Sequence, residues 1–204
     1  MGSVDIFNLL LVDHARQREL MESIRNTAPE NRERLRLFEE LRTELAAHAA
    51  AEEQTLYAEL LTGAREEIQQ GVTSNDTVAE LALLLYHLEI GSPQWMATFT
   101  DLTAEVERHL DLEEVHLFPR ARKLIKRSKA KNLGKRFQQI KLKELCLDGG
   151  CLMELRTAAP LGQPAACIPA NERRQRRRRF SSQTSGRGLR RRAASGGLTG
   201  EKGG

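Results

Sequence analysis

The sequence predicts an all-α fold: an up-down-up-down antiparallel four-helix bundle over residues 3–141, followed over residues 142–204 by a low-complexity, Arg/Gly-rich tail expected to be disordered. Three observations carry this. Aromatic residues make up only 4% of the 204 residues while Leu, Ala, Glu and Arg abound, a composition typical of helices. Apolar residues recur at helical spacing in four long stretches. Short Gly, Pro, Ser and Asn breaks separate those stretches, and short connections favour antiparallel neighbours.

Ser3 is placed to cap a first helix running to about Thr27, with Ile6, Leu10, Met21 and Ile24 on one face. Pro29 and Asn31 break it. A second helix, about Arg32 to Leu61, aligns Phe38, Leu41, Leu45, Leu56 and Leu60, and Thr62-Gly63 ends it. The third segment has two readings. Ala64 to Gln70 can form its first turns, or Gly71 and the polar run Thr73-Ser74-Asn75-Asp76 can interrupt or start it; in both cases it ends at Gly91. Ser92 followed by Pro93 is a cap with proline at the first helical position, opening a fourth helix to about Lys126 with the stripe Trp95, Phe99, Leu102, Val106 and Leu117. Lys129 to about Leu147 is expected to add a short helix.

The net charge of +4 hides an asymmetry. Residues 1–142 hold 19 Lys+Arg against 23 Asp+Glu, and residues 143–204 hold 13 against 5. From Gly149 the chain turns to Arg, Gly, Ala, Pro and Ser, with runs such as RRQRRRRF and too few apolar residues for a core. Cys146, Cys151 and Cys167 all lie in this tail, odd in number and without metal-site spacing, so they are expected to be thiols. No apolar stretch approaches the ~18 residues of a membrane span, and the MGSVDIFNLLLVDH start has an acid where a signal peptide needs a basic flank. A cytoplasmic protein with no membrane partner is the expectation.

The apolar stripes carry titratable residues where core leucines should stand. His14 follows Leu10 by four; His48 and Glu52 fall between Leu45 and Leu56; His109 and Glu113 fall between Val106 and Leu117. Residues four apart lie above one another on a helix face, so HAAAE and HLDLE each present an imidazole and a carboxylate to one point. Counted from the turns at ~1.5 Å per residue, His14, His48 and His109 fall at about the same mid-bundle level. A buried carboxylate is costly unless paired or metal-bound, and imidazoles with carboxylates in a helical bundle suit iron or manganese. Alone, any one of these histidines reads more readily as hydrogen-bonded core filler than as a ligand. His116 is expected on the inner face one turn below, at the rim.

These elements, Asp13-His14, HAAAEEQTLY, PQW and HLDLEEVHLFPRARKL, make the chain similar to the haemerythrin and HHE cation-binding domain family over about residues 3–141. The resemblance implies a four-helix bundle with a non-haem di-iron centre, used in different members for oxygen binding, iron or oxygen sensing, or nitric oxide and peroxide handling. Carried over, the metal ligands are His14, His48, Glu52, His109 and Glu113, with the two glutamates as bridges. The family also supplies a histidine from helix three. His87 lies about a dozen residues of helix from the required level, and the matching position is Asn75, on a stripe with Ile68, Val72, Ala79 and Ala82. Asn is a weak neutral ligand for iron, so one or two ions per chain remain open.

The expected function is therefore reversible binding of dioxygen or another small diatomic ligand, or iron, oxygen or redox sensing, without enzymatic turnover. The alternative is a metal-free helical bundle acting by contact, with its basic tail binding nucleic acid or another polyanion. Arginine runs are commonly only solvated, and beyond Phe180 the tail has no aromatic interleaving for base stacking. A third reading takes the tail's aperiodic Cys, Arg, Gly and Pro as resembling translation in a wrong frame.

Overall fold

The computed structural model describes residues 4–28 and 32–147. The expected Ser3 cap, the break at Pro29 and Asn31, Cys151, Cys167 and the tail beyond residue 147 lie outside the described residues. Helix α1 (Ile6–Asn26) is followed by α2 (Arg32–Glu52), which continues through a π-helical turn at Glu53–Tyr57 into α3 (Ala58–Leu60). Next come α4 (Arg65–His87) and α5 (Pro93–Asp111). A second π-helical turn, Leu112–Leu117, joins α5 to α6 (Phe118–Leu124), and α7 (Arg127–Leu147) closes the order. No strand occurs among the described residues. None of their helices is long and apolar enough to cross a membrane.

Local chemistry accounts for the boundaries. The cap of α1 is Asp5, whose carboxylate accepts the Asn8 N–H at 3.1 Å, so the helix starts after Asp5 rather than at the expected Ser3. Ser92 caps α5 as its Ser-Pro signature predicts, accepting the Trp95 N–H at 3.1 Å ahead of Pro93. In α4 the polar run is helical throughout. Thr73 and Thr77 donate their hydroxyls to the carbonyls of Gln69 and Thr73, and Ser74 donates to Glu105, so these side chains no longer compete with the helix ladder. The buried face of α4 is Ile68, Gly71, Ser74, Asn75, Val78, Ala82 and Leu85; Ala79, placed on that stripe by sequence, is exposed. The helix also ends at His87, four residues before Gly91.

Helix α1 packs on α2 and α7, α2 packs on α7, and α4 packs on α5. The apolar interior forms two clusters. One gathers Phe7, Leu10, Leu56, Tyr57, Ile68, Leu117, Phe118, Leu133 and Phe137; the other gathers Met21, Phe38, Leu41, Trp95, Phe99, Leu102 and Val106. Along α1, α2 and α5 the polar residues noted above fall between the two.

Sequence reasoning made α7 a short addition, yet it is a 21-residue helix that buries Ala130, Leu133 and Phe137. It crosses the domain boundary expected at residue 141. Its seat on α1 is close: a Cβ at Gly134 would stand 2.8 Å from the Val4 carbonyl oxygen and 3.0 Å from the Ile6 nitrogen. Only glycine lets the two backbones approach this way. Phe137→Ala is expected to lower unfolding free energy by about 3–5 kcal/mol in denaturant titration. A loss under about 1 kcal/mol, the scale of a surface change, would mean that α7 is not part of the core.

Candidate metal centre

His48 and Glu52 project from the last turns of α2, and His109 and Glu113 flank the end of α5; each residue offers one donor atom within 4.8 Å of the others'. His14, from α1, joins them with Nε2 at 3.3 Å from Glu113 Oε2. All five are at most 4% exposed. His48 Nε2 stands 3.9 Å from Glu52 Oε2, and His109 Nε2 stands 3.7 Å from Glu113 Oε2. The rings of His14 and His48 meet edge-on, centroids 5.2 Å apart. Thus the structure brings together every ligand position expected from sequence.

Seven buried polar atoms on these residues have no hydrogen-bond partner: His14 Nε2, His48 Nε2, both Glu52 oxygens, both His109 nitrogens and Glu113 Oε2. Leaving buried polar groups unsatisfied costs about 1–3 kcal/mol each, so a protein that concentrates them at one point is short of a partner there. The donor set is two carboxylates and three imidazoles, hard and borderline ligands with no thiolate, and it fits iron.

Two neighbours fix how the imidazoles face. Asp13 Oδ2 accepts from His48 Nδ1 at 3.1 Å, and Glu114 Oε1 accepts from His14 Nδ1 at 2.8 Å. With Nδ1 committed to a carboxylate, Nε2 is the ring atom turned to the cluster. Arg18 Nη1 holds Glu114 at 2.8 Å and Lys141 Nζ holds Asp13 at 2.6 Å. The straps cross between helices, the DH doublet of α1 orienting His48 of α2, and the EE doublet at residues 113–114 orienting His14 of α1. Asp13 and Glu114 were not assigned roles from sequence. Their signal was adjacency to a ligand within those doublets.

Electrostatics among these residues are uneven. Burial and the neighbouring Glu113 charge push the Glu52 carboxyl well up. Burial acts the same way on Glu113, but the charges of His109, His14 and His48 outweigh it and hold it low. Burial pushes His48 and His109 down. It also opposes the charge on His14, where Glu113 and Glu114 prevail and raise it. Burial and charge thus drive one carboxyl towards its neutral form while the other leans on imidazoles.

Tyr57 is a further residue of the site that sequence reasoning missed. Its hydroxyl donates to Glu113 Oε1. In a regular helix a residue five after Glu52 would point off its face; the π-helical turn, wider by a residue, brings it back. Thr55 assists by donating its hydroxyl to the Ala51 carbonyl at 2.7 Å. Room for the ring comes from Gly71, where a Cβ would stand 2.2 Å from the Tyr57 oxygen. The second π-helical turn has the opposite effect on His116. Phe118 N–H reaches back five residues to the Glu113 carbonyl, and the added residue rotates His116 outward, exposed rather than inward at the rim. Asn75 is 6% exposed and donates its amide to Glu53 Oε1 at 3.3 Å, while His87 is exposed beside the Tyr86 ring.

The family described as Hemerythrin HHE cation binding domain matches residues 5–121. The chain belongs to that family. A crystal structure of a Hemerythrin HHE cation binding domain-containing protein from Mycobacterium kansasii shares the fold, with a TM-score of 0.65 at 22% identity, covering 77% of this chain and 95% of that one. No curated protein matches the chain. The HHE match takes in all five clustered residues and ends before α7 begins.

Gly71→Ala should cost about 1–3 kcal/mol in denaturant unfolding, because the Tyr57 ring must leave its place on Glu113. Adding Tyr57→Phe should recover only part, since the ring carbon Cζ would still lie 2.7 Å from the new methyl. Full recovery would show that only the hydroxyl collides.

Proposed function

We propose that the chain is a non-haem iron protein in which His14, His48, Glu52, His109 and Glu113 hold one or two ions inside an up-down-up-down bundle. The observation carrying this reading is the set of seven partnerless buried polar atoms converging between α1, α2 and α5. Glu113 would be available to two ions, since its Oε2 faces histidines on two helices, 3.3 Å from His14 and 3.7 Å from His109. Against a second fully held ion stands Asn75, the neutral residue on α4, with its amide already engaged by Glu53.

Iron held there would supply a redox-active Lewis acid able to take dioxygen or another small diatomic ligand. The chain's own groups do the rest. Asp13 and Glu114 orient imidazoles, Tyr57 donates a proton-bearing oxygen to Glu113, and Phe118 stacks on the His14 ring with centroids 5.7 Å apart, keeping that side dry. Reversible ligand binding or iron, oxygen or redox sensing is proposed rather than turnover, and a cytoplasmic location belongs to the same proposal.

Metal analysis of purified variants, loaded anaerobically with ferrous iron, tests it. His48→Ala and His109→Ala should each lose most of the bound iron, and His14→Ala should lower it, whereas His87→Ala should bind as wild type. Full iron content in His48→Ala and His109→Ala would sink the reading.

A further inference from the structure

We propose that Lys141 is a positioning residue of this centre: by gripping one oxygen of Asp13 it holds the other on His48, so that α7 helps set how firmly His48 retains a cation. The inference rests on the iron-binding reading above. Asp13 is shared cleanly, with Oδ1 at 2.6 Å from Lys141 Nζ and Oδ2 at 3.1 Å from His48 Nδ1. Lys141 is also bonded to Glu44, and its side chain is only 14% exposed. A lysine on a surface helix ordinarily keeps its ammonium in water. Here it is drawn between two carboxylates, each of them at least as buried.

The consequence is one of orientation. An imidazole turns broadly about its ring bond, so the carboxylate on Nδ1 decides whether Nε2 faces the centre. Without Lys141, Asp13 and Glu44 would be two carboxylates sharing a site with only the Arg16 charge near Glu44, itself paired with Glu19 and Glu40, and Asp13 would swing away from His48. A second contact from the same helix face acts directly. Phe137, one turn before Lys141, meets the His48 ring edge-on, with centroids 6.0 Å apart and planes at 79°. Both residues lie past residue 121, where the family match ends.

The full-length protein, loaded anaerobically with ferrous iron, is challenged with an excess of a coloured ferrous chelator, and the rate of iron release is read. Lys141→Met should release on the order of tenfold faster than wild type, the scale seen when outer groups that orient ligands are removed. Lys141→Arg should restore most of the retention. Glu44→Gln, which leaves Lys141 wholly to Asp13, should release no faster than wild type. In an Asp13→Asn background Lys141→Met should add little, because its effect runs through Asp13. Unchanged release in Lys141→Met, an effect that adds in full to that of Asp13→Asn, or equal acceleration by Glu44→Gln would each overturn the inference alone. A wild-type protein that takes up no iron would overturn the iron reading itself, and this inference with it.

Discussion

Glu52 and Glu113 stand fully buried beside three imidazoles, between two apolar clusters that would otherwise be one continuous core. Burying an ionised carboxylate costs far more than any single helix contact returns, so the arrangement persists only if something compensates it. From the protein's own groups the compensation is partial. Burial drives the Glu52 carboxyl towards its neutral form, Glu113 rests against histidines and the Tyr57 hydroxyl, and seven polar atoms remain without a hydrogen bond. A divalent cation offsets the whole set at once. The hydrophobic clusters on either side then serve as the walls that keep the donors at one level and away from water.

Around that constraint the helices are locally reshaped. A π-helical turn follows Glu52 at once, at Glu53–Tyr57, and a second, Leu112–Leu117, takes in Glu113 itself. One such turn delivers Tyr57 to Glu113, and the other carries His116 out to solvent. Gly71 clears space on α4 for the tyrosine, and Gly134 lets α7 sit close against the start of α1. These small residues and wide turns cost local helix stability, by ~1 kcal/mol for a glycine against alanine, and they recur where the site needs them.

Much of this was legible in the sequence. The helical periods, the Ser92-Pro93 start and the paired H-x3-E elements depend on residues near one another in the chain, and the five clustered residues follow from periodicity and level counting. What was not legible depends on partners far apart. Whether Asp13 serves His48 or His14 is settled only by how α1 docks on α2. The π-helical turns break the 3.6-residue period by one residue, which is why Tyr57 was passed over and His116 was turned the wrong way. The third helix was ambiguous because Thr and Ser hydroxyls look like breakers until their acceptors are seen. Helix α7 looked peripheral since its apolar residues are sparse, and the close seat that Gly134 allows is invisible without α1 beside it.

The central claim, that the buried donors are built around a cation, is tested most directly by thermal unfolding of the metal-stripped protein with and without anaerobic ferrous iron. A ligand at a hundred times its Kd stabilises the folded state by about 2.7 kcal/mol, which for a chain of this size raises the midpoint by roughly 5–10 °C. The account predicts a rise of that order, saturating at one or two ions per chain. An unchanged midpoint at saturating iron would contradict it.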